Sequence, residues 1–598
     1  MAPYTPPTRD ILFAINQLAE LGSVNSLPVF QHATEDMVNT LVEEAAKYFA
    51  EVLAPTNQLG DQQGVSLCES GVLTPKEFVS AYGQLLENGW LSLSFPEEEG
   101  GFGFPGLVEM ALVEMMQTAN MAFSMCPLLA SGVGRVLRFH GTDELKALYL
   151  PKIASGEWSV AMSLTEPQSG SDLSGLQTRA IPGPNHYRIF GQKIFITWAD
   201  HDMSENILHL VLARIPDAPP GSRGLSLFLV PKYVPDNNGL PGLRNDVKVV
   251  SIEHKLGLRA SATCTVNYGD EDGAIGYLVG KEHRGLSAMF ILMNHARIQV
   301  GLQGASLTER AYQMALEYAH ERKQGSIKTS QGVQGPVSII RHPDVRRMLS
   351  QMKAGKDAIK ALGYVAAAGL DMSEHAELAE DREFYAARTA LLTPIIKGWS
   401  TELSQELVQL AVQIYGGMGY IEETGVTQFM RDARVITIYE GSSAMQAMDL
   451  VNRKLLGDEG KAFFRVLEEM QSVATELGGV EELQNMARLF DMAVRQLSET
   501  VEWLLEYHNQ DTLSLQAIAF DFMMLSGYVM GGWQMARTAL IASHGMGTNP
   551  GDTAFFTDKV ATSQFYMAFL LPRAQTHLQV VRGGGGSVLT FLPDGQVA

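Results

Sequence analysis

Between Ser159 and Glu282 the sequence changes texture, and that change limits the folds open to the chain. On either side of this segment, apolar residues recur with a helical period. Inside it the runs are short, β-branched or alternating, and Gly, Pro, Asn and Asp break them up, which is the pattern of strands. Ser159–Thr165, His186–Thr197, Ile207–Ile215, Leu225–Val230, Val247–Glu253 and Ala262–Tyr268 each read as a strand. The order helix, β, helix, helix predicts a multidomain α+β protein and excludes a doubly wound dinucleotide fold. Gly101, Gly103 and Gly106 match a GxGxxG spacing. Glu97, Glu98 and Glu99 precede them and would repel a phosphate, and Pro105 lies inside the match, so they read as a tight loop between helices.

The expected domains follow from these texture changes. Residues 1–35 form a leader with one short helix, Asp10–Leu21. Residues 36–158 form a helical domain, whose first helix Thr34 can cap and Pro55 ends. Residues 159–282 form the β domain, 283–453 a helical bundle, and 454–598 a further helical domain. Gly583–Gly586 suggest a loose tail. Leu513–Trp533 is apolar enough to raise the question of a membrane span. Gln516 and Asp521 fall inside it, and a carboxylate at mid-span is costly in lipid, so a core helix is expected and no integral span.

Composition narrows the partners. The 598 residues carry 45 Lys plus Arg against 66 Asp plus Glu, a net charge of −21. A broad grip on nucleic acid or on anionic lipid needs clustered cations, so neither is expected. With 46% apolar and 19% charged residues, the chain is globular rather than disordered. Cys68, Cys126 and Cys264 are odd in number and far apart, so no disulfide framework and no metal site are indicated. No secretory signal opens the sequence, and a cytoplasmic location is expected.

Four segments could carry chemistry. Met162–Asp172 (MSLTEPQSGSD) runs from a strand into a turn rich in hydroxyl donors, with Thr165, Ser169, Gly170 and Ser171. By itself it reads equally well as an ordinary polar turn. Lys193–Asp200 (KIFITWAD) places Phe195 and Thr197 on one face of a strand, or is simply an amphipathic strand. Gln413–Tyr420 (QIYGGMGY) is a helix end, where a C-cap explains Gly416 better than Gly417 or Gly419. Arg434–Gln446 (RVITIYEGSSAMQ) sets Glu440 just before what looks like a helix start, where a carboxylate also suits the helix dipole.

Taken together and in this order, the four segments resemble those of the acyl-CoA dehydrogenase family of flavoproteins, over about residues 36–453. The leader, the long C-terminal addition, His342–Leu349 (HPDVRRML) and Leu256–Cys264 (LGLRASATC) resemble a long-chain-length branch that includes 3-methylmercaptopropionyl-CoA dehydrogenases and bacterial fatty acyl-CoA dehydrogenases. The resemblance implies an N-terminal helical domain, a β-barrel-like middle domain and a C-terminal four-helix bundle, plus the added helical domain. It implies FAD as cofactor. Met162, Leu164, Thr165, Gly170 and Ser171 would line the flavin, Phe195 and Thr197 would flank it, and Ser442 would touch its side. Arg322, Gln324, Gln413, Gly416 and Gly417 would reach the FAD of a neighbouring subunit, which implies a homodimer or a dimer of dimers.

Glu440 matches the family's catalytic base. It would take the Cα proton of an acyl-CoA while a hydride leaves Cβ for the flavin, giving a trans-2-enoyl-CoA. In members that carry the base elsewhere, it precedes the Arg that matches Arg297. Here Ala296 stands there and cannot accept a proton. Ser171, Asn294, Arg297, Tyr439 and Gly441 would contact substrate, with Asn294 and Arg297 at its CoA portion. A helix-surface ion pair is the plainer reading of Arg297. Since CoA is itself a polyanion, so acidic a chain must hold it with a few placed groups. Ala444 replaces a Gln common after the YEGxS segment, and Arg259 and Ala262 depart from the commoner pattern near the pocket. The expected activity is fatty acyl-CoA β-oxidation with an electron-transfer flavoprotein as acceptor. A 3-methylmercaptopropionyl-CoA dehydrogenase, an acyl-CoA oxidase and a non-catalytic flavoprotein scaffold are the alternatives.

Overall fold

The computed structural model describes residues 3–330, 332–508, 511–548 and 550–590. They fall into two compact units, Thr40–Ala296 and the combination of Met1–Asn39 with Arg297–Ala598.

The first unit joins helices to one large sheet. Its strands are β1 (Trp158–Ser163), β2 (Arg179–Pro182), β3 (Tyr187–Thr197), β4 (Asn206–Arg214), β5 (Leu225–Pro231), β6 (Val247–Ile252), β7 (Thr263–Tyr268) and β8 (Ala274–Val279). They are ordered β6-β7-β3-β8-β5-β4-β1, and β2 pairs with both β3 and β4. That double pairing closes β3, β8, β5, β4 and β2 into a ring, so the sheet is barrel-like as expected. The six anticipated strands all form. β2 and β8 were not legible: β2 is four residues ending in Pro182, and β8 is six residues between glycines.

Leu208, Leu210 and Leu212 of β4, with Leu227 and Leu229 of β5, pack on Val133, Leu137, Tyr149 and Ile153 of the preceding helices. This period-two register fixes the sheet against its helical layer. The GxGxxG segment is a structural loop. A Cβ at Gly101 would fall 2.0 Å from the Phe95 carbonyl oxygen, so the chain passes too close for any other residue. Glu99 turns inward and takes a two-point ion pair from Arg138 (2.8 and 2.7 Å).

The second unit is helical: α1 (Gly285–Glu321, which begins in the first unit), α2 (Pro343–His375), α3 (Ala379–Tyr415), α4 (Ser443–Asp449), α5 (Lys461–Gly478), α6 (Gln484–Tyr507), α7 (Thr512–Thr548), α8 (Thr553–Phe565) and α9 (Arg573–Gly583). α7 packs on α2 and α3. A Cβ at Gly527 would meet Trp399 Cγ at 2.1 Å, so glycine lets the α7 backbone seat against the α3 indole. Among the described residues α7 is the one helix long and apolar enough to cross a membrane, yet 72% of its apolar window is buried inside the protein. Asp521 on it pairs with His577 at 2.7 Å.

Two terminal expectations change. The leader is not a separate piece. Asp10 pairs with Lys559 of α8, Arg9 with Asp552, and Phe13 meets Phe555 edge-on at 5.7 Å. Of Gly583–Gly586, Gly583 ends α9 and Gly585 and Gly586 open a further helix, Gly585–Thr590, with Gly584 between the two, and Val581 and Gly585 are buried; residues 591–598 lie outside the described set. Lys559 also faces Asp357 at 3.3 Å, and Lys356 bridges Asp357 and Glu309, both at 2.8 Å. Burial works against the charge on Asp10, but Lys559, Lys356 and Lys360 together outweigh it and hold the carboxyl low. Asp10→Ala is expected to cost about 1.5–3 kcal/mol, the range for losing a hydrogen bond to a charged group. A lower urea midpoint at unchanged slope checks it.

Candidate active site

In the first unit, β1 runs out into the Leu164–Asp172 loop, and one buried ion pair shapes that loop. The Glu166 carboxylate accepts from Lys193 Nζ (2.8 Å), Thr178 Oγ1 (2.5 Å) and the main-chain N–H groups of Gln177 (2.7 Å) and Thr178 (3.0 Å). Lys193 Nζ also donates to the Leu164 carbonyl at 2.9 Å, and Ile194 N–H to that of Thr165 at 2.9 Å. Burial alone would raise the Glu166 carboxyl, but Lys193 and the other donors outweigh it and hold it at about 2. Burial presses Lys193 down to about 8. Both groups therefore stay charged at neutral pH.

This anchoring brings the Met162–Ser171 loop alongside Lys193–Thr197. Leu164 is buried and Met162 packs on the core, so Leu164 can offer a ligand only main-chain groups. Thr165 is half-buried, and Gly170 and Ser171 are exposed. Ser169 departs from expectation: it is buried and its hydroxyl is spent on the Asp172 carbonyl.

Phe195 is a second departure. The β3–β7 register shifts between Cys264 and Val266, and Phe195 sits at a left-handed φ of 58°. Simple strand alternation therefore does not set the faces of Phe195 and Thr197. An aromatic residue at positive φ is strained, and such strain persists where surrounding structure imposes it, often at functional positions. Here it leaves the ring 59% exposed.

In the second unit the chain turns sharply at Glu440 (φ 55°) and Gly441 (φ 86°), then enters α4. Gln446 of α4 donates its Nε2 to both carbonyls of the turn, each at 3.1 Å. A Cβ at Gly441 would fall 2.7 Å from that nitrogen, so the turn needs glycine there. Tyr439 donates its hydroxyl to Gln303 of α1, and Ser443 donates to Glu402 of α3. Ser442 occupies the N-cap position of α4, but its hydroxyl makes no cap bond. Arg297 of α1 is 8% exposed and pairs with Asp449 at 3.7 Å, which rules out the surface ion pair.

The Glu440 Oε2 is buried without a hydrogen-bond partner among the described residues. Its main-chain N–H is likewise engaged by none of them. Burial raises the Glu440 carboxyl, while the Arg297 and Lys397 charges oppose the rise. The turn therefore presents a poised carboxylate and a free N–H donor side by side, which suits removal of a proton next to a carbonyl.

Other predicted residues lie elsewhere. Asn294 is half-buried on α1, three residues before Arg297. Arg322 and Gln324 are exposed just past the end of α1. Gln413 is exposed at the end of α3, followed by Gly416 at φ 60° and by Gly417, where added Cβ atoms would meet nothing. Tyr318 stacks on Tyr415 at 4.1 Å and ties these two helix ends together. A rise of ~1.5 Å per residue along α1 puts that end roughly 36 Å from Arg297, so the structure does not bring these residues to Glu440.

Residue patterns missed Gln303, Lys397, Glu402, Gln446 and Asp449, because polar residues within helices read as solvent-facing. Lys397 left one trace, a lone charge inside the apolar run TPIIKGW.

Sequence models of the acyl-CoA dehydrogenase N-terminal, middle and C-terminal domains match residues 35–157, 161–270 and 283–455. One described as acetyl-CoA dehydrogenase C-terminal like matches residues 466–591. A 3-methylmercaptopropionyl-CoA dehydrogenase of Ruegeria pomeroyi is 42% identical over 98% of this chain and 99% of its own. A broad-specificity linear acyl-CoA dehydrogenase of Mycobacterium tuberculosis is 31% identical over 97% of this chain and 98% of its own. A Bacillus anthracis acyl-CoA dehydrogenase solved with FAD shares the fold at TM-score 0.73 and 21% identity, over 93% of this chain and 90% of its own. With near full-length identity of this order and matching models across most of residues 35–591, the chain belongs to the acyl-CoA dehydrogenase family.

Proposed function

We propose that the protein desaturates an acyl-CoA thioester between Cα and Cβ, giving a trans-2-enoyl-CoA, with Glu440 as the base. The observation that carries this reading is the buried, unpartnered Glu440 Oε2 on a strained turn whose own N–H is unengaged. The Glu440 N–H would donate to the thioester oxygen and stabilise the developing enolate. The carboxylate, made more basic by burial, would take the Cα proton. Tyr439 and Gly441 would border the thioester.

The residues present fit a flavin. Phe195 offers an outward aromatic face, and Thr165, Gly170 and Ser171 line an accessible edge beside it. FAD, when bound, supplies the two-electron acceptor for the Cβ hydride, which no side chain can provide. Met162 and Leu164 would contribute main-chain groups to that edge, with Thr197 following Phe195 on the same strand; Ser442, in the second unit, keeps its proposed role at the side of the flavin. Arg297, buried against Asp449, would act at the enclosed thioester end rather than on the CoA phosphates, a change from the sequence expectation; Asn294 would lie farther along the ligand. The distance from the catalytic turn to Arg322, Gln324, Gln413, Gly416 and Gly417 supports their serving the FAD of a second copy, in a homodimer or a dimer of dimers. An electron-transfer flavoprotein is the proposed acceptor and the cytoplasm the proposed location.

For the acyl group, the relative at 42% identity favours 3-methylmercaptopropionyl-CoA, and the relative at 31% favours linear fatty acyl-CoA as second reading. Rates across acyl-CoA chain lengths with a dye acceptor, the thioether substrate included, separate them. The expected result is yellow protein, bleached anaerobically by substrate, with highest kcat/KM on 3-methylmercaptopropionyl-CoA. Stoichiometric peroxide without added acceptor would make it an oxidase. Colourless protein that FAD cannot reconstitute would make it a scaffold.

A further inference from the structure

The underside of the catalytic turn holds a cation that the mechanism above does not use. Lys397 of α3 is 0% exposed, and its Nζ has no hydrogen-bond partner among the described residues. Its helix lies directly against the turn. A Cβ at the next residue, Gly398, would sit 3.3 Å from Gln446 Cβ, and Gln446 is the residue that grips the Glu440 and Gly441 carbonyls. The charged groups that act on Lys397 are Glu440 from the turn, Arg297 from α1 and Glu402 from α3 itself. Arg297 shares its charge with Asp449, which Arg453 also pairs at 3.2 Å. Glu402 is taken by the Ser443 hydroxyl. Lys397 is therefore the uncommitted cation of the group, and Oε2 of Glu440 the uncommitted anion.

We propose that Lys397 is a positioning residue for the catalytic turn, holding the buried Glu440 carboxylate in its ionised, proton-accepting form. Burial of an isolated ammonium is costly, so an interior lysine without a hydrogen bond needs a compensating charge. Burial lowers Lys397 and Glu440 opposes the fall, which leaves it at about 8 and still a cation at neutral pH. Burial raises Glu440, and the two cations restrain the rise. Removing Lys397 lets Glu440 rise further. The carboxyl then stays protonated to higher pH, where it cannot act as a base. Once ionised, it is the stronger base. The signature is thus a displaced acid limb rather than a uniform loss.

This inference rests on Glu440 being the base, and the test separates the two. FAD-loaded wild type, K397M, K397R and E440Q are compared by kcat and KM from pH 5.5 to 9.5. Glu440 ionisation is read independently by infrared difference spectra against E440Q, with and without FAD. In K397M the Glu440 midpoint should move up by about one unit. Turnover below the midpoint should fall ~10-fold, turnover at the alkaline end should stay within ~3-fold of wild type, and KM should change little. K397R should restore the limb. If K397M does not fold, K397Q, neutral and hydrogen-bonding, should show the same shift. An unmoved Glu440 midpoint in a folded neutral variant, or an equal loss at every pH, overturns the proposal. Normal turnover by E440Q would instead overturn the base assignment beneath it.

Discussion

Glu440→Gln is expected to abolish turnover while leaving the protein yellow and able to bind acyl-CoA. The amide keeps the shape of the carboxylate but cannot accept the Cα proton, and Ala296 offers no substitute at the alternative position. General-base catalysis is typically worth 10²–10⁴-fold, and here no other carboxylate stands on the turn, so a loss of about 10⁴-fold or more in kcat is expected. KM should change little, because the lost interaction belongs to the transition state. The main-chain N–H that would polarise the thioester is untouched by the substitution. Retained turnover would remove Glu440 from the mechanism. Stopped-flow flavin reduction under anaerobic conditions is the direct measurement, since it excludes product release and the electron acceptor.

The second large effect lies in the other unit. Glu166→Ala removes the only ion-pair partner of Lys193 among the described residues and leaves its ammonium 0% exposed. Breaking a buried pair from one side costs about 3–5 kcal/mol, because the remaining charge stays desolvated. The loss should appear as a lower unfolding midpoint and as weaker FAD retention, since the pair anchors the Thr165–Ser171 edge. Its pH dependence has a definite sign. In the wild type the Glu166 carboxyl is held at about 2, below its ordinary value. Its stabilisation is therefore complete above about pH 4.5 and is lost as pH falls toward 2. In Glu166→Ala, folding favours an uncharged Lys193, and the unfolded chain binds more protons. The variant should therefore recover stability as pH rises toward 10. The double variant Glu166→Gln/Lys193→Met should cost much less than Glu166→Ala, because it buries no unpaired charge.

These effects show why some of the site was legible and some was not. Glu440 could be found because it stands in a short distinctive segment beside a glycine that only a tight turn demands. Gln446, six residues on, looked like any polar helix residue, although its amide carries both carbonyls of that turn. Lys397 lies forty-three positions before Glu440. Its relation to the carboxylate depends on how α3 packs beneath the turn, and no local pattern encodes that. Glu166 lay within a recognised motif but read as loop chemistry; its partner Lys193 comes from a strand whose alternation concealed a buried charge. The leader shows the same limit. Asp10 and Lys559 are more than five hundred residues apart in sequence, and only the folded chain makes them an ion pair.

The sequence by itself determined the succession of helical, β and helical regions, because hydrophobic period is a local property that side-chain alternation and helical spacing impose directly. It also determined the family and singled out Glu440 for the proposed role of base, since both readings reside in contiguous motifs. Tertiary structure alone decided the ring closure through β2 and β8, the left-handed setting of Phe195, the docking of leader and tail, and the charges around Glu440. Each depends on groups distant in the chain. Their energies come from desolvation and from pairing in a shared interior, and neither exists until the chain has folded around them.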